Sequence, residues 1–148
     1  MTKIEKHHFQ AGMLTKDGFV GSDSRSIEEI IRADQQLLSQ IHFENTAVAD
    51  RLQRFIDEGK NRLEDCVRLG NQTIRVQWDR GMLPCPFAEP GLHPKITVTV
   101  RSERTGKEIR YSQLSVHLVR RHGFFGGKGS RFRLEPEELV KLFKEDQP

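Results

Sequence analysis

Residues 73–78 read TIRVQW. Ile74, Val76 and Trp78 alternate with Arg75 and Gln77, a period of two that makes one face of a strand apolar and gives the other to solvent. Upstream the period is different. Ser26 can cap a helix, with Glu29 placed to reach back to the cap's amide, and Ile27, Ile30, Ile31, Leu37, Leu38 and Ile41 form one stripe of a helix that ends near His42. Thr46 can cap a second helix with the stripe Val48, Leu52, Phe55 and Ile56, and Gly59 is placed to stop it. A further helical turn or two is expected over 61–69, with Leu63, Cys66 and Val67 inward, before Gly70-Asn71 breaks it. Ahead of these helices, residues 9–20 hold two short apolar runs around a Lys16-Asp17-Gly18 turn that suits a hairpin.

Downstream of Trp78, residues 79–94 carry so many prolines and glycines that a loop is expected. Ile96, Val98 and Val100 then alternate with Thr97 and Thr99, and Thr105-Gly106 turns the chain into 108–111. Ser112 can cap a short helix that Gly123 ends, 132–134 reads as a short strand, and Pro136 opens a last helix with Leu139, Val140, Leu142 and Phe143 inward. Helices first and an antiparallel sheet after them predict an α+β fold: an N-terminal helical layer on a small antiparallel sheet, with two further short helices in the C-terminal half. A chain of 148 residues suits one compact domain, helix-rich over 1–71 and sheet-rich and basic over 72–148. Trp78, Val98, Leu118 and Phe143 are expected to share its core.

No apolar run approaches the roughly 20 residues of a membrane helix. The opening MTKIEKHHFQ lacks the apolar stretch of a secretory signal, so a cytoplasmic chain with Cys66 and Cys85 reduced is expected. Cys66 reads as core. The net charge of +3 is uneven: ten Lys/Arg face twelve Asp/Glu through Asn71, and fourteen face nine after it. From Lys95 to Arg133 ten basic residues meet only Glu103 and Glu108, an excess that attracts anions whatever the fold.

Two constellations carry chemistry. The first is the basic, glycine-rich run that follows the helix at Ser112. Arg120, Arg121, Lys128, Arg131 and Arg133, interleaved with Phe124, Phe125 and Phe132, suit a non-catalytic module that binds nucleic acid or another polyanion and needs no cofactor. A phosphate loop is excluded, because the motif's first glycine would fall on His122 and Lys128 is followed by Gly129. The second is a set of metal donors, Cys85, His93, His117 and His122. Cys85 is held between Pro84 and Pro86, and His93 precedes Pro94, so a soft and a borderline donor are rigidly presented for an ion such as zinc, in a metal-binding protein or a metalloenzyme. The spacing argues the other way. Cys85 and His93 stand eight apart, and on a regular helix His117 and His122 point about 140° away from each other. A Cys85 nucleophile would need a third orienting group that the sequence does not show.

The segments PCPF and HGFFGGKGS, with Ser-x-x-His before the second, resemble those of uncharacterised bacterial cytosolic proteins. The resemblance covers the C-terminal half and implies no substrate, cofactor or catalytic residue.

Overall fold

Alternation from Val67 onward builds one antiparallel sheet, and the helices cover one of its faces. The computed structural model describes residues 19–60 and 66–145. In chain order the elements are α1 (Ile27–Gln40), α2 (Asn45–Lys60), β1 (Val67–Leu69), β2 (Gln72–Pro84), β3 (Leu92–Ser102), β4 (Glu108–Ser112), α3 (Gln113–His122) and α4 (Pro136–Lys144). The strands pair as a meander, β1-β2-β3-β4, so the fold is α+β as the pattern predicts. The hairpin expected over 9–20 lies outside the described residues except for Phe19 and Val20, which are buried.

In α1 the Ser26 hydroxyl accepts the Glu29 N–H at 3.1 Å, and Ile27, Ile30 and Leu38 are buried. Helix α2 starts at Asn45, so Thr46 lies inside it and is not its cap. Gly59 is also inside, for a different reason from the one expected. A Cβ there would come within 2.3 Å of Val76 Cγ2, so the glycine lets helix and sheet approach closely.

Val67–Leu69 form a strand where a helical turn was expected; residues 61–65 lie outside the described ones. Gly70, at φ 61°, and Asn71 make a two-residue hairpin turn that pairs Leu69 with Gln72, so these breakers join strands instead of ending a helix. Cys66 is half-buried beside the Arg75 guanidinium, 3.4 Å away, and is not core. The expected loop over 79–94 shrinks to 85–91. Strands β2 and β3 stay paired through Trp78↔Ile96, Met82↔Pro94, Leu83↔His93 and Pro84↔Leu92, with a register shift between Trp78 and Met82. Pro84 and Pro94 are tolerated because β1 and β4 end earlier, so that among the described residues the sheet is two strands wide there, both of them edges.

That narrowing also corrects the place of Trp78, which is 60% exposed. Among the described residues its neighbour from α2 is Lys60, whose ammonium stands 5.6 Å from the indole ring, a cation in place of an apolar cover. Residues 132–134 make no strand; Leu134 N–H donates singly to Phe125 O at 2.9 Å.

The main core joins both halves of the chain: Leu52, Phe55 and Ile56 from α2, Val98 and Val100 from β3, Val119 from α3, and Leu139 and Phe143 from α4. Buried Tyr111 ties sheet to helix by donating its hydroxyl to Leu52 O at 2.7 Å. A second cluster gathers Phe19, Val20, Ile27, Ile30, Cys85, Leu114, Leu118 and Phe124. Leu118 therefore belongs to the second cluster, while Val98 and Phe143 belong to the main core.

Candidate metal centre

The loop 85–91 at the end of the β2–β3 hairpin folds onto the last turn and a half of α3, and the metal donors meet there. Helix α3 is fixed at both ends. Ser112 and Ser115 cap its start reciprocally, each hydroxyl accepting the other's backbone N–H, and Gly123 closes it in the left-handed conformation at φ 63°. His122 is thus the final helical residue, with no further turn above it. Ala88 N–H donates to Cys85 O at 3.0 Å, and Ala88 itself sits at φ 66°, a left-handed conformation that costs a non-glycine residue about 1–2 kcal/mol. This strained turn carries Phe87 and Glu89 back towards the helix.

Cys85 Sγ lies 3.6 Å from His122 Nε2, and the donor atoms of Cys85, His117 and His122 all fall within 4.8 Å of one another. The 140° separation expected on a helical wheel does not keep the two donors apart. Phe87 lies flat against the His122 ring, and the His117 and His122 centroids stand 5.5 Å apart, edge to face. His93, paired with Leu83 at the start of β3, packs its ring 4.4 Å from that of His117. All four expected donors therefore share one place, three of them within reach of a single ion.

Burial sets their protonation. It pushes the Cys85 thiol above its ordinary value, against the opposing pull of the Phe87 and Glu89 N–H groups aimed at the sulfur. It also pushes His93, His117 and His122 below the usual imidazole value, outweighing the attraction of Glu89 for their charged forms. Burial therefore favours the uncharged form of each ring, the form that can offer a lone pair. His93 Nε2 and His117 Nε2 are buried without a hydrogen-bond partner among the described residues. Buried polar atoms normally find partners, so two unpaired ring nitrogens are free to accept a ligand such as a metal ion.

No family model, curated protein or solved structure matches this chain. Its chemistry has to be read from the geometry itself.

Glu89 was not among the expected donors. Its Oε1 is 2.7 Å from His122 Nε2, and its Oε2 is 3.9 Å from His117 Nε2 and 3.5 Å from Arg121 Nε. The sequence held a signal for it: Cys85 and Glu89 stand four apart, a spacing within the range of paired zinc ligands once a carboxylate counts as a donor. The contact also bears on nucleophilic catalysis. A Cys–His–acid relay needs thiol and carboxylate on opposite ring nitrogens, and here both face Nε2.

The basic residues are placed differently from one another. Arg133 is half-buried with its side chain 9% exposed, its guanidinium donating to Asp34 Oδ1 at 2.8 Å and to Glu135 Oε1 at 3.0 Å. Arg120 bonds Asp50 at 2.7 Å, Arg121 faces Glu89, Arg131 stands 5.4 Å from the Phe132 ring, and Lys128 is exposed. Phe124 and Phe125, expected to offer stacking faces, are 1% and 2% exposed and belong to the core. The glycine loop packs against 19–23: Gly127 N–H donates to Phe19 O at 2.7 Å, and Lys128 N–H donates to Asp23 Oδ2 at 3.0 Å. These two backbone donors are spent inside the protein.

Proposed function

We propose that the protein is a metal-binding protein whose centre is formed by Cys85, His117 and His122, with His93 beside them. The observation that carries this reading is the convergence of one thiol and two imidazoles within 4.8 Å, on a loop and a helix far apart in sequence. A thiolate with neutral imidazoles is a donor set that suits zinc, being soft enough to disfavour magnesium or calcium. The ion would tie the end of the β2–β3 hairpin to the C-terminal turn of α3, and its binding free energy would add to the stability of that junction.

Protein purified without a histidine tag should carry about one zinc per chain by plasma emission. Stripping it with a chelator should lower the melting temperature, and adding zinc back should restore it. Cobalt should give a visible spectrum with a thiolate charge-transfer band that Cys85→Ser abolishes. Protein that holds no metal, and whose melting temperature does not respond to zinc, would dispose of the reading.

A further inference from the structure

The geometry points to Glu89 as the fourth ligand of this centre, which makes it a closed four-ligand site; the inference rests on the metal reading above. Tetrahedral zinc with bonds of about 2.0–2.3 Å puts neighbouring nitrogen and oxygen donors about 3.3 Å apart, and nitrogen and sulfur about 3.6 Å apart. The Cys85–His122 separation is 3.6 Å, and the Glu89 carboxylate stands beside the three-donor cluster with a different oxygen towards each ring, Oε1 2.7 Å from His122 Nε2 and Oε2 3.9 Å from His117 Nε2, so a turn of the carboxylate brings one oxygen to the ion. His122 Nε2 cannot both hold a proton for Glu89 and bind an ion. When the ion takes that nitrogen, the carboxylate loses its hydrogen-bond partner beside the ion and stands ready to join the Cys85 thiolate as its second anionic donor.

His93 fits the fourth position less well. Two imidazoles on one tetrahedral ion have ring centroids about 5 Å apart, given bonds of about 2.0–2.1 Å to nitrogen. His117 and His122, at 5.5 Å, meet this, whereas His93 and His117, at 4.4 Å, are too close. His93 packs on His117 as a positioning residue. Charge favours the same choice. Zinc with a thiolate and a carboxylate is neutral, while a third imidazole in place of Glu89 leaves a positive centre close to the Arg121 guanidinium, in a half-buried place where net charge is costly.

Four protein ligands leave no position for a metal-bound water, so the ion holds structure and does not activate a nucleophile.

The test is a competition titration of metal-free protein with zinc against a chromophoric chelator, with cobalt spectra, for the parent, Glu89→Gln and His93→Gln, each checked for folding by circular dichroism. The expected result is one zinc in all three, with affinity lowered at least tenfold and an altered cobalt spectrum in Glu89→Gln, while His93→Gln stays within about tenfold of the parent. Parent affinity and spectrum in Glu89→Gln would overturn the inference. If His93→Gln alone were weakened, the fourth position would pass to His93; if neither were, it would pass to solvent. A parent protein that binds neither zinc nor cobalt would sink the metal reading itself, a result distinct from either of these.

Discussion

Phe87 lies flat on His122, with ring centroids 4.0 Å apart and planes within 13°. The stack fixes the orientation of a candidate ligand from the side opposite its helix, and Phe87 is held in turn edge-on by Phe124, 5.9 Å away. Groups that orient ligands typically change metal affinity about 10–100-fold when removed. Phe87→Ala should therefore weaken zinc binding by about tenfold without removing a donor atom. Phe87→Leu, which keeps bulk but no flat face, should fall between. Isothermal titration of metal-free protein checks both, and an unchanged affinity in Phe87→Ala would show that the ring orients nothing.

The Asp34–Arg133 pair should be a stability element. Their side chains are 2% and 9% exposed, and Arg133 also donates to Gly126 O at 2.9 Å, so one guanidinium ties the glycine loop to α1. Removing Arg133 strands the buried Asp34 charge, and removing Asp34 leaves the Arg133 guanidinium with the exposed Glu135 as its carboxylate partner; breaking a buried pair typically costs about 3–5 kcal/mol. Arg133→Met and Asp34→Leu should each destabilise by about that much in urea, and the double variant by clearly less than their sum. Additive losses would mean that the two charges do not depend on each other.

Asp23 supplies a pH dependence. It is buried, accepts two bonds from the Arg25 guanidinium and accepts the Lys128 N–H, and the Arg25 bond above all holds its carboxyl far below the usual range. A carboxyl that is more acidic in the folded chain than in the unfolded one, where it titrates near about 3.9, contributes stability that is fully present above that pH and lost as pH falls below it. Asp23→Asn should lower the melting temperature at pH 7, and the gap to the parent should narrow below about pH 4. A gap that stays constant down to pH 2.5 would contradict the assignment.

Gly127 should tolerate no side chain. A Cβ would sit 2.2 Å from Val20 O and 2.7 Å from Val20 Cα, both backbone atoms that cannot swing aside. Gly127→Ala should cost about 1–3 kcal/mol by overpacking. Gly91→Ala, where a Cβ would meet nothing within 4 Å but φ is 112°, separates strain from collision. If Gly127→Ala melted like the parent, the close packing of 19–23 on the glycine loop would be refuted.

The sequence by itself determined whatever depends on local period and caps. The α1 stripe, the Ser112 and Gly123 ends of α3, Pro136 at the start of α4 and the Ile96–Val100 strand follow from side-chain spacing and backbone preference, which act within a few residues. Whether an apolar residue is covered is a tertiary matter. Trp78 has the pattern of a core residue and is exposed, with Lys60 as its neighbour from α2, and Pro84 and Pro94 sit in strands where, among the described residues, no third strand reaches their edges. The donors Cys85, His93, His117 and His122 were legible as residue types suited to a metal, but their spacing hid the convergence. Only the fold of the 85–91 loop onto the end of α3, with Phe87 turning one ring and Glu89 arriving beside it, brings atoms 37 residues apart in sequence to 3.6 Å. Arg133 shows the converse: its charge reads as surface, and a buried partner 99 residues away at Asp34 draws its guanidinium inward.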